Sequence, residues 1–292
     1  MPKFSIVIPT YNSSDDILKT LDSIYNQTYN NFEVIIVDDL SEDREALKSV
    51  INSSGYPVIC FYSEVKLNGS GARNKGVELS SGEYIALLDS DDSWDKNKLE
   101  RYDSYIKINN AENKIFYSKV KIIKGEECIK KMPTRAFDKR KESIASYLFG
   151  VAGFIQTSTL VLSRDLYLSI KFDDRYKRHQ DYDFCIRADH LGAEFVLIDE
   201  TLSNYYISER ASAKSKGEST EYSIWWLDKM SMYLKKSDVI CYKAFKLPHK
   251  LMSDSKKYKA LYCFAYNFLF TKKNEKLDFI NFISSRLKNG KN

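Results

Sequence analysis

The sequence predicts an α/β protein: a Rossmann-like, mixed but mostly parallel sheet flanked by helices, followed by a helical, basic C-terminal extension. Three observations carry this expectation. The first hundred residues alternate between short apolar runs and helix-like segments. Those runs are continuous in Ile, Val and Leu, as in parallel strands covered on both faces. From about residue 219 the chain reads as helical and gathers lysine.

The elements follow in order. "FSIVIP" (4–9) reads as a buried strand, and Ser13 or Ser14 can cap a helix whose Ile17, Leu21 and Ile24 recur at helical spacing. "FEVIIVDD" (32–39) is a second strand, with the helix-like "SEDREALKSVI" after it. "VICFY" (58–62) is a third strand, "GARNKGVELS" (71–80) a glycine-started helix, and "YIALLD" (84–89) a fourth strand. Beyond them, "KNKLERYDSYIKI" predicts a helix, "NKIFYSKVKII" a strand, and "TSTLVLSRDLYLSI" a strand running into a helix. "DYDFCIRADHLG" is a helix closed by Gly192, and "EFVLID" and "SNYYI" are two short strands. The expected organisation is a body over residues 1–218, in halves 1–110 and 111–218, and an extension over 219–292.

Composition narrows the function. With 292 residues, 43% of them hydrophobic and 14% aromatic, the chain can bury a sizeable core. The longest apolar stretch, "ALYCFAYNFLF", falls far short of the roughly 18 residues of a spanning helix. The opening "MPKFSIVIPTYN" lacks a signal-peptide core, so the expected location is cytoplasmic. Five scattered cysteines without a CxxC pair, and three histidines without metalloprotease spacing, argue for reduced thiols and against a zinc site. From Lys229 onward, 14 Lys and one Arg stand against four acidic residues, a net +11 that leaves the remainder at −6 within the overall +5. A basic tail interleaved with aromatics suits an anionic membrane surface or nucleic acid; a solvated helical face is the plainer alternative.

Ligands of open α/β sheets bind beyond the carboxyl ends of the strands. Three polar clusters stand at such ends here: "PTYN", "VDDLS" and "DSDD". Clustered carboxylates repel and raise one another's pKa unless a cation intervenes, and a hard divalent ion completed by water and phosphate oxygens removes that conflict. Alone, "DSDD" could equally start the next helix through Asp92 or Ser93. Tyr11 offers an aromatic face for a nucleobase or for ordinary packing. Asp39 can accept from a base N–H or close an Asx turn. Arg73 can pair with phosphate or lie on the surface.

Taken together, "FSIVIPTYNSSDDILKTLDSIYNQTYNNFEVIIVDDLSED", "GSGARNKGVELSSGEYIALLDSDDSW" and "HQDYDFCIRADHLG" resemble family 2 glycosyltransferases of the GT-A fold, over about residues 3–210. The resemblance implies a nucleotide-binding half (1–110) and an acceptor-binding half (111–218). It puts Pro9, Thr10 and Tyr11 on the nucleotide, Asp39 on the uracil edge of a UDP-sugar, Arg73 near base and phosphates, and Asp89 near the ribose and sugar. Asp91 and Asp92 would hold Mn²⁺ or Mg²⁺, with the direct ligand open between them.

"RHQDYDF" (178–184) resembles the family's "ED" segment, with Gln180 in place of the usual Glu, which leaves Asp181 as the catalytic base. Asp183 is the alternative, but two helical positions point about 200° apart, so only one of them faces the crevice. Asp181 can also cap its helix. Residues 150–164 would line the acceptor pocket. A loop at 205–215 would close on the donor, with Glu209, Arg210 and Ser212 read mainly as solvated.

The implied reaction is inverting transfer of one sugar from a nucleotide-sugar donor to a glycan or polyprenyl-diphosphate-linked acceptor, in assembly of a bacterial surface polysaccharide such as O-antigen or lipopolysaccharide. The tail would dock peripherally at the inner face of the cytoplasmic membrane, and no nucleic-acid partner is expected. The absence of a "QxxRW" string argues against a processive synthase. Sugar nucleotidyl transfer is the alternative enzyme class, disfavoured because "PTYNSSDD" stands where a glycine-rich, lysine-containing signature is needed. A non-catalytic nucleotide- or nucleic-acid-binding module would not need Asp181 opposite a metal.

Overall fold

The computed structural model describes residues 1–207 and 219–289. The chain forms two compact units. One comprises Met1–Lys131, Ile155–Phe184 and Leu191–Ser208; the other comprises Met132–Phe154, Cys185–His190 and Glu209–Asn292.

The first unit is built on a mixed sheet with nine strands among the described residues: β1 (Phe4–Thr10), β2 (Phe32–Asp38), β3 (Ile59–Tyr62), β4 (Tyr84–Leu87), β5 (Ser93–Trp94), β6 (Lys114–Lys124), β7 (Glu127–Met132), β8 (Val161–Ser163) and β9 (Glu194–Tyr206). Their order is β3-β2-β1-β4-β8-β6-β9-β5, with β7 pairing to β6 off this path. The first four strands are mutually parallel, and β8 runs antiparallel between β4 and β6. Both faces are covered. Phe4, Ile6, Ile8, Val34 and Ile36 pack with Leu21 of α1 (Ile17–Tyr25), Leu47 of α2 (Arg44–Ser54) and Tyr102 of α4 (Lys98–Asn109). Ile35 and Val37 turn the other way, onto Ala72 of α3 (Asn68–Leu79). Each such buried side chain stabilises the fold by about 1.5–3 kcal/mol, which is why these strands read as unbroken apolar runs.

Several boundaries differ from expectation for identifiable reasons. Ser13 and Ser14 do not cap α1: the Ser13 carbonyl accepts the N–H groups of Asp16 and Ile17, while its hydroxyl bonds to Tyr11 O and Ser90 Oγ. Helix α3 starts at Asn68, ahead of its glycines, because Asp39 supplies an acceptor for its first turn. "EFVLID" and "SNYYI" are one strand, β9, paired in parallel with β6 along both segments. The register jumps from Ser118↔Ile198 to Lys119↔Thr201, so Asp199 and Glu200 bulge out of the ladder, where they pair with Lys119 and Arg101. The polar "DET" that resembles a loop is a bulge. Helix α6 (Arg164–Ile170) follows β8, and Gly192 closes α7 (Gln180–His190) as predicted, at φ +85°.

The second unit is helical: α5 (Ile144–Phe149), the last turns of α7, α8 (Thr220–Lys229), α9 (Lys236–Phe245), α10 (Leu247–Ser253), α11 (Lys257–Leu269) and α12 (Lys273–Asn289). Phe149 sits edge-on to Tyr242 at 5.0 Å and to Trp226 at 6.1 Å. Buried Asp238 accepts from the hydroxyls of Ser143 (2.5 Å) and Ser146 (2.7 Å) and from Lys235 N. The five cysteines are free thiols. No helix among the described residues is long and apolar enough to cross a membrane.

The fit of α3 on the sheet yields a test. A Cβ at Gly76 would lie 2.4 Å from Val7 Cγ1, a fully buried atom of β1 with no room to retreat. Alanine gains about 1 kcal/mol of helix propensity but overpacking costs about 1–3 kcal/mol. The 2.4 Å approach puts the cost at the upper end of that range, so Gly76→Ala is expected to lower stability by up to about 2 kcal/mol, read as a lower urea midpoint.

Candidate active site

The carboxyl ends of β1, β2 and β4 carry the three polar clusters, and all three belong to the first unit. At β4, the loop after Leu87 turns through Asp89, Ser90, Asp91 and Asp92. Asp92 is fully buried: Oδ2 accepts from Ser158 Oγ at 2.6 Å and Gln156 Nε2 at 2.7 Å, and Oδ1 from the Tyr206 N–H at 3.3 Å. Its main-chain oxygen and that of Ser90 both accept from Thr20 Oγ1, and Ser13 shares a hydrogen bond with Ser90. Burial, reinforced by Asp89 and Asp91, pushes the Asp92 carboxyl well above the usual carboxylate range. Asp92 does not cap α4, whose N-cap is Asn97.

Ser158 lies in a 3-10 turn (Thr157–Thr159) and ties this loop to the sheet. Its hydroxyl serves Asp92 and accepts the Asp89 N–H, while its carbonyl accepts Trp94 Nε1, Lys98 Nζ and Ser203 Oγ. Lys98 is buried beneath the site, also donating to Ser203 Oγ at 2.9 Å. Burial holds its ammonium well below the usual lysine range, opposed by the Asp92 charge.

Asp89 and Asp91 remain half-buried. Arg73 of α3 donates to Asp89 Oδ1 at 2.5 Å and to Gln180 Oε1 at 2.9 Å. Its guanidinium lies 5.3 Å from the Phe172 ring centre, and its buried Nε has no hydrogen-bond partner among the described residues. Asp181 stands in the first turn of α7 beside Gln180. Loss of hydration pushes its carboxyl up to about 6, while the N–H groups of Tyr182 and Asp181 itself and the charge on Arg73 draw it back. It does not occupy the cap position of α7, which begins at Gln180. Asp183 is fully buried, so Asp181 is the more accessible of the two.

At the ends of β1 and β2, Tyr11 is 47% exposed and the Lys66 ammonium lies 2.9 Å from its ring centre. Asp39 is buried, with Oδ1 accepting the N–H groups of Leu67 and Asn68 and Oδ2 paired to Lys66. Pro9 is half-buried, and Thr10 turns its hydroxyl inward to the Val37 carbonyl. Sequence reasoning thus identified Asp89, Asp92, Arg73 and Asp181 as separate candidates; the structure links Asp89 and Asp181 through Arg73 and its field, and Asp92 to Asp89 through the Gln156 amide. That reasoning placed Gln156 and Ser158 within the stretch 150–164 expected to line the acceptor pocket, in the polar run "QTST", without their role beside Asp92, and it missed Lys98 and Lys66, which nothing local marks.

Among the described residues, no three His, Cys, Asp or Glu side chains gather closely enough to hold an ion. The donor chemistry suits an ion held by one or two carboxylates and completed by phosphate and water. Both oxygens of Asp92 are taken by protein donors, and Asp91 lies half-buried one position before it. Glu209, Arg210 and Ser212 lie outside the described residues.

Residues 5–167 match the family described as "Glycosyl transferase family 2". The amylovoran biosynthesis glycosyltransferase AmsB of Erwinia amylovora is 46% identical over 98% of this chain and 96% of its own length. The Escherichia coli enzyme WfgD, a UDP-Glc:alpha-D-GlcNAc-diphosphoundecaprenol beta-1,3-glucosyltransferase, is 35% identical over 44% of this chain and 49% of its own. Among solved structures, the UDP-GlcNAc complex of S. aureus TarS superposes with a TM-score of 0.66 at 20% identity, covering 91% of this chain and 81% of that one, a likeness of fold.

Ser158→Ala tests the network. It leaves a buried Asp92 oxygen and the Asp89 N–H short of a partner, and is expected to cost about 1–3 kcal/mol of stability in urea unfolding.

Proposed function

This chain belongs to glycosyl transferase family 2 and is a glycosyltransferase, and from that membership we propose that it moves one sugar, with inversion, from a UDP-sugar to a glycan or lipid-linked acceptor in bacterial surface-polysaccharide assembly. The names of the relatives AmsB and WfgD support this direction. The observation that carries the reading is the convergence on Arg73: one guanidinium binds Asp89 and Gln180 and acts on Asp181.

In this reading Tyr11 lies against the base, with Pro9 and Thr10 shaping the strand end and Asp39 at the base edge. Arg73 and Asp89 orient the phosphates and the sugar. Asp181 accepts the proton of the acceptor hydroxyl as that oxygen attacks the anomeric carbon, and the bond to the nucleotide diphosphate breaks in the same displacement. One displacement with one base inverts the anomeric centre. Mn²⁺ or Mg²⁺ held by Asp91 would neutralise charge on the departing diphosphate. Asp92, with its oxygens engaged, holds the loop in shape.

Three experiments test the reading. Calorimetric titration of UDP with and without Mn²⁺ is expected to show metal-dependent binding that Asp91→Ala abolishes; no binding under either condition overturns the proposal. A base must be deprotonated to accept a proton, so kcat/KM is expected to fall as pH drops through about 6. Asp181→Asn should lower kcat by about 10²–10⁴-fold with UDP affinity retained.

A further inference from the structure

Helix α11, KYKALYCFAYNFL, is apolar around nearly its whole circumference. Such a helix is ordinarily buried on all sides, yet this one is buried on one side only. Its inner face meets the second unit through Ala260, Phe264 and Phe268, the last two lying 5.4 and 5.2 Å from the Phe279 ring of α12. The outer face carries Tyr258, Leu261, Tyr262, Ala265, Tyr266 and Leu269, all exposed. Their i, i+3, i+4, i+7 spacing places them on one stripe about 140° wide. Tyr258 is 92% exposed, and Leu261, Tyr262 and Leu269 are each at least 67% exposed, so no described residue covers the stripe. On α12, Leu277, Ile280 and Ile283 are likewise exposed at three-residue spacing. Single exposed apolar residues need no explanation, but a continuous row of them does.

We propose that the outer face of α11 is a docking surface for an anionic lipid bilayer, lying in the plane of the interface rather than spanning it. Charge and chemistry select this occupant. Lys257 and Lys259 are exposed and flank the stripe on opposite sides at its N-terminal end, and the chain from Lys229 onward carries a net +11. Anionic headgroups complement that charge, whereas a second copy would bring the same excess against it. Three tyrosines on the stripe present an apolar ring with a polar tip, the composition of a membrane–water boundary. Nucleic acid would demand cations across the contact face rather than at its margin. The surface belongs to the second unit alone and needs no donor or acceptor, so it stands independently of the proposed reaction.

The test is co-sedimentation of the full chain with phosphatidylcholine vesicles, with and without phosphatidylglycerol. Binding is expected only where phosphatidylglycerol is present, and it should weaken as salt is raised. Leu261→Ser/Leu269→Ser should weaken it at least about tenfold through lost apolar burial. Lys257→Gln/Lys259→Gln should weaken it several-fold and flatten the salt dependence. Both variants alter exposed side chains, so their unfolding midpoints should match that of the unaltered protein. Absence of binding to phosphatidylglycerol vesicles, or undiminished binding by the leucine variant, overturns the proposal. So does a dimer in sedimentation velocity that the leucine variant dissociates, which would assign the face to a second copy, or nucleic-acid retardation lost in that variant. Vesicle binding is read without nucleotide, so failure of UDP binding would leave this result standing, and the reverse.

Discussion

The candidate site depends on one buried carboxyl. Asp92 sits where hydration is lost and two neighbouring carboxylates repel it, an arrangement that would open the loop if its oxygens were unpaired. Three donors from distant parts of the chain prevent that: the Ser158 hydroxyl, the Gln156 amide and the Tyr206 N–H. An unsatisfied buried group costs about 1–3 kcal/mol, and more when charged, so these contacts outweigh any local preference of the loop. With Asp92 held inside, Asp89 and Asp91 are left at the half-buried rim of the sheet. Burial of one acid is what presents the other two.

The same logic operates under α3. Gly76 lets the helix approach β1 closely, and Asp39 accepts the N–H groups where the helix begins. Arg73 follows one turn later, close enough to reach both Asp89 and Gln180. A carboxylate at a helix start is favourable in itself, worth about 0.5–2 kcal/mol. Asp39 thus holds the start of α3 and pairs with Lys66 rather than closing an Asx turn, since it is Asp38 that accepts the Ser41 N–H.

Much of this was legible in the sequence because parallel strands covered on both faces leave continuous apolar runs, and because polar residues interrupt them where the strands end. "FSIVIPT" and "FEVIIVD" announce themselves in that way. The ordered series of motifs pointed to Arg73, Asp89 and Asp181. What stayed hidden was non-local. Lys98 looks like one more lysine on a charged helix, and only the packing of α4 over the 3-10 turn buries it. Asp199 and Glu200 look like a loop because a bulge exposes polar residues just as a loop does. The helical second unit draws residues 132–154 and 185–190 from between the strands, a grouping that no periodicity encodes.

The replacement of the family's usual glutamate by Gln180 bears on how Asp181 is tuned. A neighbouring carboxylate raises a carboxyl pKa and a neighbouring cation lowers it. With glutamine at 180, Arg73 is held by a neutral carbonyl on one side and by the Asp89 charge on the other. A glutamate there would compete for the guanidinium and add its own negative field beside Asp181. Both effects push the same way, toward a higher pKa for Asp181. The neutral amide keeps the geometry of the Arg73 contact without that penalty. Loss of hydration raises Asp181 to about 6 against the pull of Arg73, a value that suits the base role proposed for it.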